Sequence, residues 1–292
     1  MQRAVTYLDE VETVQNGEPT LASFGNRARE VGFVQRWRAW LRQGRRARKF
    51  VEGYTPIAEL LPEDVVVVGY PKSGNTWYQE LISAVVHGVN PAHAPPALQQ
   101  MLVPDVHKQL FYKRFGARMF FKSHHLPRPE YRNVVYLLRD GRDAMISFYH
   151  YLRAYQSNVD LLDLVQTARD IPQGKWHTHV DAWLKNPYQA RMLVIKYEDT
   201  KTDALTELGR LCAFLGLERD RDYLETAARE CDFQKMQKKE REQGDGRAYW
   251  PKDKLFRRRG VVGSHKDEMP SEVLEVFMTE AGETLKKCGY IA

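Results

Sequence analysis

Short apolar runs that end in polar turns recur along the chain and indicate a strand–helix pattern. The first is V-V-V-V at residues 65–68, whose β-branched side chains are typical of a buried strand in a parallel sheet. Comparable runs occupy residues 119–121, 133–138 and 191–196. Because strands alternate with segments of helical apolar spacing, the chain is predicted to form an α/β fold, a three-layer sandwich around a mostly parallel sheet.

Four segments carry the helical spacing of apolar residues. They are residues 77–86, 144–152, 206–217 and 271–288. We expect Gly216 to end the third helix and Ser271 to cap the fourth, which Gly289 follows. Two other segments lack this spacing. Residues 89–104 are rich in Pro, Ala and His and are expected to form a loop, and the charged segment 237–263 is expected to form a long loop or lid.

The N-terminal segment differs in composition from the rest of the chain. Residues 33–50 combine two tryptophans with seven Lys and Arg residues. A basic amphipathic helix of this kind can lie on an anionic membrane. It can equally pack on the domain and leave its charged face in solvent, which is the interpretation that we favour. We therefore expect a basic helical extension over residues 1–55 and one larger domain over residues 56–292.

Composition limits the classes of protein to which the chain can belong. With 292 residues, of which 43% are hydrophobic, it can bury one large core or at most two domains. Three widely spaced cysteines favour neither a disulfide framework nor a zinc site. No apolar signal region or membrane-spanning run is evident, so we expect a cytoplasmic protein. The net charge of +6 suits an anionic ligand, a nucleic acid or a membrane, but it suits solubility alone as well.

The turn after the first strand has the features of a phosphate-binding loop. Between the strand and a helix, such a turn points backbone N–H groups at one spot, and the helix N-terminus adds about half a positive charge. Lys72 adds a full charge, and Ser73 and Thr76 add hydroxyl groups. An ordinary strand–helix turn that contains a lysine is the alternative. The loop is not of the Walker A type, since Lys72 precedes Gly74 instead of following a second glycine.

Other polar residues also follow apolar runs directly. Lys72, His124, Arg139 and the pair Lys196/Tyr197 all do so. In open parallel sheets, ligands bind beyond the carboxyl ends of the strands. The topology therefore predicts that these residues line one crevice.

Arg139 is a candidate for binding a phosphate group, together with Ser147 eight residues later. Arg142 is an alternative to Arg139, and a surface arginine paired with Asp140 or Asp143 would explain the same turn.

Histidines are the candidates for proton transfer. The unperturbed pKa of a histidine, about 6.5, suits a base at neutral pH, so His124, beside Lys122, is a candidate and His125 is its rival. His177 and His179 would point to different faces of a helix, so we do not predict a metal site there.

Five motifs, in order along the chain, together resemble one family. They are Y-P-K-S-G-N-T-W at 70–77, K-S-H-H-L-P at 122–127, L-R-D-G-R-D-A-M-I-S-F-Y-H at 138–150, Y-E-D at 197–199 and F-R-R-R-G-V-V-G-S-H-K at 256–266. They are similar to the motifs of the sulfotransferases that use 3′-phosphoadenosine-5′-phosphosulfate (PAPS). The family's first motif is Y-P-K-S-G-T-T-W, so Asn75 is its one departure.

The resemblance spans residues 65 to about 275 and implies a central parallel sheet related to that of P-loop nucleotide kinases. It also implies transfer of a sulfuryl group to a hydroxyl or amine of a small-molecule acceptor. Carried over position by position, the 5′ end of the cofactor would be held by Lys72, Ser73, Gly74, Asn75, Thr76 and Trp77. Contacts to the 3′-phosphate would come from Arg139 and Ser147, with Arg258, Arg259 and Gly260.

The remaining roles follow from the same resemblance. Trp77 would stack on the adenine and Tyr197 would contact it. His124 would be the general base, while Lys72 and Lys122 would stabilise charge on the bridging and sulfuryl oxygens. No metal is expected, because the donor carries its own activated leaving group.

Three features of the chain depart from the family or leave alternatives open. The extra residue in K-S-H-H-L-P keeps His125 as a second candidate base. G-S-H-K replaces the family's G-D-W-K at 263–266, which predicts a looser cofactor lid. The family's dimer motif is matched only at Lys266 and Glu275, so both a monomer and a homodimer are open.

Two other functions are alternatives to sulfuryl transfer. A non-catalytic nucleotide-binding module, associated with a membrane or nucleic acid through residues 33–50, is the first. A kinase that uses a nucleoside triphosphate is the second. For the sulfotransferase itself we expect no nucleic-acid partner, and the acceptor is not specified by the sequence.

Overall fold

A four-stranded parallel sheet lies at the centre of the described part of the chain in a computed structural model, which describes residues 52–156, 158–244 and 250–292. The strands are β1 Thr55–Pro56, β2 Val65–Gly69, β3 Phe111–Tyr112, β4 Phe120–Ser123, β5 Asn133–Leu138 and β6 Arg191–Lys196. The central sheet has the order β4-β2-β5-β6 with every neighbouring pair parallel, and β1 pairs with β3 in a separate antiparallel sheet. Residues 1–51 of the expected helical extension, which include its basic segment 33–50, lie outside the described residues.

Eleven helices are present in the part of the chain that the structure describes. The first six are α1 Asn75–His87, α2 Pro96–Leu102, α3 Gly141–Arg153, α4 Leu161–Thr167, α5 Trp176–Lys185 and α6 Tyr197–Thr202. The others are α7 Ala204–Leu215, α8 Arg221–Glu230, α9 Phe233–Gln243, α10 His265–Glu268 and α11 Ser271–Lys287. No helix among these described residues is long and apolar enough to cross a membrane.

Side chains alternate between the two faces of the sheet and build a core on each. On β2, Val66 and Val68 join the core covered by α3, α4, α5 and α11, while Val65 and Val67 join the core covered by α1, α7 and α8. This period of two explains why the strand is apolar on every residue, since neither face meets water. The predicted three-layer α/β sandwich is confirmed.

Two loop predictions were wrong in part. Residues 96–102 form α2, because Pro96 stands in its first turn, where a proline is tolerated, and good helix formers follow. Residues 237–243 belong to α9, whose N-terminus is capped by the Asp232 carboxylate. The capping prediction for Ser271 was also wrong, since it is the first residue of α11 and Pro270 holds the cap position. Gly216 ends α7 with a φ of 65°, as expected.

The sheet order brings the predicted polar residues to one edge. β2 lies between β4 and β5, and Val68 is paired with both Ser123 and Tyr136. The loops that carry Lys72, His124 and Arg139 therefore leave the carboxyl ends of three adjacent strands. These loops therefore meet at the edge of the sheet where the crevice is predicted.

Candidate active site

The loop between β2 and α1 is shaped by two left-handed residues. Lys72 has a φ of 71° and Gly74 a φ of 92°. A Cβ atom on Gly74 would lie 2.9 Å from the Tyr197 ring, so both its conformation and its surroundings require glycine. The Asn75 amide donates a hydrogen bond to the Tyr70 carbonyl at 3.0 Å, which closes the loop. Asn75, the one departure from the family motif here, is therefore a structural support of the loop.

Three buried polar atoms of this region have no hydrogen-bond partner within the described residues. They are the Ser73 hydroxyl, the Asn75 Oδ1 and the Arg139 Nε. An unpaired buried polar group costs free energy comparable to a lost hydrogen bond. The loop precedes a helix of 13 residues, whose N-terminal N–H groups favour an anion. The residues present therefore fit an anionic ligand that would accept hydrogen bonds from the Ser73 hydroxyl and the Arg139 Nε.

Arg139 connects the loop to the C-terminal part of the site. Its two terminal nitrogens donate to the Lys72 carbonyl at 2.9 Å and to the Val261 carbonyl at 3.3 Å. Its guanidinium carbon lies 4.4 Å from the centre of the Tyr197 ring. Arg142, the alternative phosphate ligand, instead forms a bidentate pair with Asp140 at 2.6 and 3.0 Å. The geometry therefore favours Arg139.

Aromatic side chains stand beside the helix that follows the loop. The Trp77 and Tyr197 rings are nearly perpendicular with centres 5.6 Å apart, and the Trp77 indole donates to the Cys231 carbonyl at 2.7 Å. The Lys201 ammonium lies over both Trp77 and Phe233, at 5.7 and 5.3 Å. This cluster brings together the two predicted adenine contacts with Phe233. Sequence reasoning missed Phe233, because its only signal was the capping Asp before it.

His124 is held in one orientation by the strand next to it. Its Nδ1 lies 2.8 Å from the Gly69 carbonyl, and its backbone N–H donates to the His107 Nε2 at 2.9 Å. His125 has a different environment, with its Nδ1 2.8 Å from the Tyr131 hydroxyl. The ring of His124 therefore reaches the start of the phosphate loop, whereas the ring of His125 reaches Tyr131.

Burial and neighbouring charge keep these histidines neutral at pH 7. Burial, reinforced by the Lys122 charge, lowers the pKa of His124 well below its ordinary value. Burial also lowers the pKa of His107 to about 4 and that of His125 to about 3.

Lys122 is buried and forms an ion pair with a residue that sequence reasoning missed. Its ammonium lies 2.9 Å from the Asp105 carboxylate. Burial alone would raise the pKa of Asp105, but the charges of Lys122 and Lys108 hold it well below its usual range. Asp105 also accepts the backbone N–H of His107 at 3.0 Å. The segment before β4 thus organises both Lys122 and, through His107, His124.

The predicted 3′-phosphate residues of the C-terminal segment meet a carboxylate. Both terminal nitrogens of Arg258 contact Glu268, at 2.7 and 2.9 Å, and Arg259 contacts it at 2.6 Å. His150 Nε2 lies 2.6 Å from the same carboxylate. Ser147 is half-buried one turn before His150 on α3. Gly260 has a φ of 62°, and a Cβ there would lie 2.5 Å from a neighbouring aromatic ring, that of the phenylalanine which begins α9.

The segment at 263–266 is anchored to α3, in contrast to the looser lid predicted from its departure from the family. The buried Asp143 carboxylate accepts the N–H of Gly263 at 2.6 Å and that of His265 at 2.9 Å. His265 Nδ1 lies 2.7 Å from the same carboxylate. Burial alone would raise the pKa of Asp143, but these hydrogen bonds lower it below its ordinary value.

Aromatic rings surround the Lys72 side chain. Its ammonium lies 4.8 Å from the Tyr151 ring centre and 4.2 Å from that of Phe256. Trp250 stacks on Tyr151 at 5.5 Å and also packs against Phe256 at 5.3 Å. Tyr155 joins this cluster through Trp250, with 5.3 Å between the ring centres. Aromatic walls therefore lie beside the loop lysine.

Comparison with known protein families identifies the chain. A family model described as "Sulfotransferase domain" matches residues 62–289. The chain belongs to the sulfotransferase family. It is an enzyme that transfers a sulfuryl group from PAPS to small-molecule acceptors. The predicted family, reaction class and cofactor are thereby confirmed.

Curated relatives and solved structures agree with this family. Sulfotransferase 1E1 of Mus musculus is 24% identical over 256 residues, which cover 78% of this chain and 85% of the relative. Sulfotransferase 1C2 of Oryctolagus cuniculus is 26% identical over 235 residues, which cover 72% of this chain and 78% of the relative.

Among solved structures, retinol dehydratase in complex with androsterone and the inactive cofactor PAP has a TM-score of 0.62 at 20% identity, over 78% of this chain and 82% of that one. A mouse sulfotransferase complexed with PAP has a TM-score of 0.58 at 22% identity, over 78% of this chain and 90% of that one. Both structures share the fold of this sulfotransferase.

Proposed function

We propose that this sulfotransferase uses the Nε2 atom of His124 to remove the proton from a hydroxyl or amine of its acceptor. The observation that carries this proposal is the 2.8 Å contact between His124 Nδ1 and the Gly69 carbonyl. A carbonyl oxygen only accepts hydrogen bonds, so in the neutral imidazole Nδ1 carries the hydrogen. The lone pair is then on Nε2, which makes no hydrogen bond to the described residues.

The same argument separates His124 from His125. The Nδ1 atom of His125 faces the Tyr131 hydroxyl, which can donate as well as accept, and its ring is not tied to the phosphate loop. The depressed pKa of His124 keeps the imidazole in its basic form at pH 7. A general base in position contributes about 10² to 10⁴ in rate.

Lys72 is proposed to stabilise the charge that develops on the bridging oxygen between the nucleotide and the sulfuryl group. By analogy with phosphoryl transfer, catalysis here consists mainly of alignment and charge stabilisation. Lys122 is the second candidate for this role, but Asp105 offsets its charge at 2.9 Å. We therefore propose Lys72 for the bridging oxygen and Lys122, whose charge is partly offset, for the sulfuryl oxygens.

The two ends of PAPS are proposed to bind on either side of Arg139. The 5′ end would be held by the loop and the first turn of α1, through Lys72, Ser73, Gly74, Asn75, Thr76 and Trp77. The 3′-phosphate would contact Arg139 and Ser147, with Arg258, Arg259 and the backbone of Gly260. The adenine would lie among Trp77, Tyr197 and Phe233. The unpaired Ser73 hydroxyl and Arg139 Nε support the two anion positions.

Rates of sulfate transfer test the proposed base. With radiolabelled PAPS and a panel of phenols, sterols, sugars and amines, we expect turnover by the parent protein. His124→Asn should lower kcat at least about 100-fold on the best acceptor. His125→Asn, the matched control next to it, should lower kcat by less than about tenfold. Equal losses in the two variants, or none in H124N, would contradict the assignment.

The same assay separates the enzyme from its alternatives. A nucleotide-binding module without catalytic activity would bind adenosine 3′,5′-bisphosphate but give no turnover with any acceptor. A nucleoside-triphosphate kinase would bind ATP tightly and the bisphosphate poorly. The aromatic walls beside Lys72 favour acceptors with a flat apolar ring, so phenols and sterols come first in the panel.

We propose the remaining partner and location assignments on sequence grounds alone. They are a cytoplasmic enzyme, either monomeric or homodimeric, without a nucleic-acid partner. Contact of residues 33–50 with an anionic membrane is the alternative to packing on the domain. Binding to anionic vesicles that weakens between low and high salt would support that contact, and binding without a salt effect would contradict it.

A further inference from the structure

The Glu268 carboxylate contacts three basic side chains. Arg258 contacts it through both terminal nitrogens, and Arg259 and His150 contact it once each, at distances of 2.6 to 2.9 Å. The Glu268 side chain is 18% exposed, whereas those of Arg258 and Arg259 are 32% and 39% exposed. The carboxylate is therefore the most sheltered member of the cluster that these three residues and His150 form.

This cluster lies where the proposed function places the 3′-phosphate. His150 stands one helical turn after Ser147 on α3, and Arg259 immediately precedes Gly260. A carboxylate and a phosphate are both bound bidentately by the terminal nitrogens of a guanidinium. Arg258 already uses both of these nitrogens on Glu268.

We propose that Glu268 competes with the 3′-phosphate of the cofactor for Arg258 and Arg259, and so sets how strongly this enzyme prefers 3′-phosphorylated nucleotides. The inference rests on the proposed function, which assigns the two arginines to that phosphate. Binding of the phosphate requires the arginines to release Glu268 or to share it. In both cases a negative carboxylate beside a phosphate dianion weakens binding by repulsion.

Glu268 is charged whenever the enzyme is folded near neutral pH. Burial alone would raise its pKa, but hydrogen bonds from Arg258 and His150 and the Arg258 charge lower the pKa to about 2. The carboxylate is thus a permanent occupant of the arginine pair in this structure. Removal of the Glu268 charge should therefore make binding of the 3′-phosphate to the two arginines more favourable.

Affinities for two nucleotides test the inference on the full chain. Calorimetry would give the dissociation constants of adenosine 3′,5′-bisphosphate and of AMP, which lacks the 3′-phosphate. Glu268→Gln should tighten the bisphosphate about tenfold and leave AMP within about twofold. Asp267→Asn is the matched control, since Asp267 is 71% exposed and lies 3.8 Å from Arg259. It should change neither affinity by more than about twofold.

Three outcomes would overturn the inference. If E268Q weakens the bisphosphate, the carboxylate positions the arginines for the phosphate instead of competing with it. If E268Q tightens both nucleotides equally, or neither, the effect does not concern the 3′-phosphate. Unchanged AMP binding also reports that the variant is folded. Should E268Q fail to fold, E268D shortens the side chain and breaks the two-pronged contact, and it should tighten the bisphosphate by a smaller factor than tenfold.

A second pair of variants separates this inference from the proposed function. Arg258→Met and Arg259→Met should reduce the preference for the bisphosphate over AMP. If that preference is unchanged, the arginines do not contact the 3′-phosphate and the assignment under the proposed function fails. If the preference falls but E268Q leaves it as in the parent, only the competition by Glu268 is refuted.

Discussion

His107 accepts a hydrogen bond from the backbone N–H of His124, with 2.9 Å between Nε2 and the nitrogen. The two rings also stack, with centres 5.4 Å apart and an angle of 29°. The backbone of the proposed base is thus fixed by a second histidine, and its ring by Gly69. His107 is a positioning residue in this arrangement, because it acts through His124.

Two substitutions of His107 should distinguish the packing of its side chain from the hydrogen bond that it accepts. His107→Gln retains an acceptor oxygen at the end of a side chain of similar length, so we expect kcat within about fivefold of the parent. His107→Leu leaves the His124 N–H unpaired, which costs about 1–3 kcal/mol. We expect kcat to fall by about tenfold or more and the acid limb of the kcat/KM pH profile to shift. Equal profiles for the two variants would refute the positioning role.

Gly260 should not tolerate a side chain. Gly260→Ala places a Cβ 2.5 Å from the Phe233 ring at a φ of 62°, so the adenine side of the site must shift. We expect the affinity for adenosine 3′,5′-bisphosphate to fall at least about tenfold in calorimetry. Gly53→Ala is the control, because Gly53 has a φ of 77° with nothing within 4 Å of the added atom. It should cost about 1 kcal/mol of stability without a change in affinity.

Asp143 should be required both for stability and for cofactor binding. Asp143→Asn removes the carboxylate that accepts N–H groups of Gly263 and His265, and leaves one of these donors unpaired. We expect a loss of about 1–3 kcal/mol in the free energy of unfolding by urea, with severalfold weaker nucleotide binding. Asp222→Asn, which changes an exposed carboxylate of α8, should alter neither quantity. An unchanged unfolding free energy in D143N would contradict the anchoring role.

His179 should make the fold sensitive to mild acid. It is fully buried between the Tyr136 hydroxyl and the His124 carbonyl, and burial lowers its pKa from 6.5 to about 4. Between these values the unfolded chain binds more protons than the folded chain, so stability falls as pH falls through 6.5 towards 4. This group alone should cost about 2 kcal/mol between pH 7.5 and pH 5.

Urea unfolding at the two pH values measures this dependence. His179→Gln cannot titrate, so its unfolding free energy should change by about 2 kcal/mol less than that of the parent over the same pH interval. The starting stability of H179Q is allowed to be lower, since only the difference between the pH values is compared. An identical pH dependence in parent and variant would show that His179 does not titrate as proposed.

The sequence allowed the sheet, the loop and the main polar residues to be predicted, since each depends on local pattern. Four apolar runs became β2, β4, β5 and β6, and parallel order alone brought Lys72, His124 and Arg139 to one edge. The choice between His124 and His125 was not available from sequence. Adjacent residues after a strand point in different directions, and only the Gly69 and Tyr131 partners show which ring reaches the loop.

Residues that act by pairing across the structure were missed for the same reason. No periodic pattern of apolar residues marks Phe233 on the charged helix α9, Asp105 in a connecting segment or Glu268 on a one-turn helix. Each matters through its contact. Phe233 lies against Gly260, Asp105 pairs with Lys122, and Glu268 pairs with Arg258. Helix α2 was not predicted, because the composition around Pro95 and Pro96 is typical of a loop, although a proline in the first turn is compatible with a helix.

The hydrogen bonds of Arg139 restrict the distance between the two anion positions proposed for the cofactor. Both anion positions proposed for the cofactor are tied to one guanidinium, which is fixed at the Lys72 backbone at 2.9 Å and at the Val261 backbone at 3.3 Å. The two backbone carbonyls therefore restrict the movement of the guanidinium that both proposed positions share. A nucleotide whose second phosphate stands elsewhere, such as the 2′,5′ isomer, would match one position but not both.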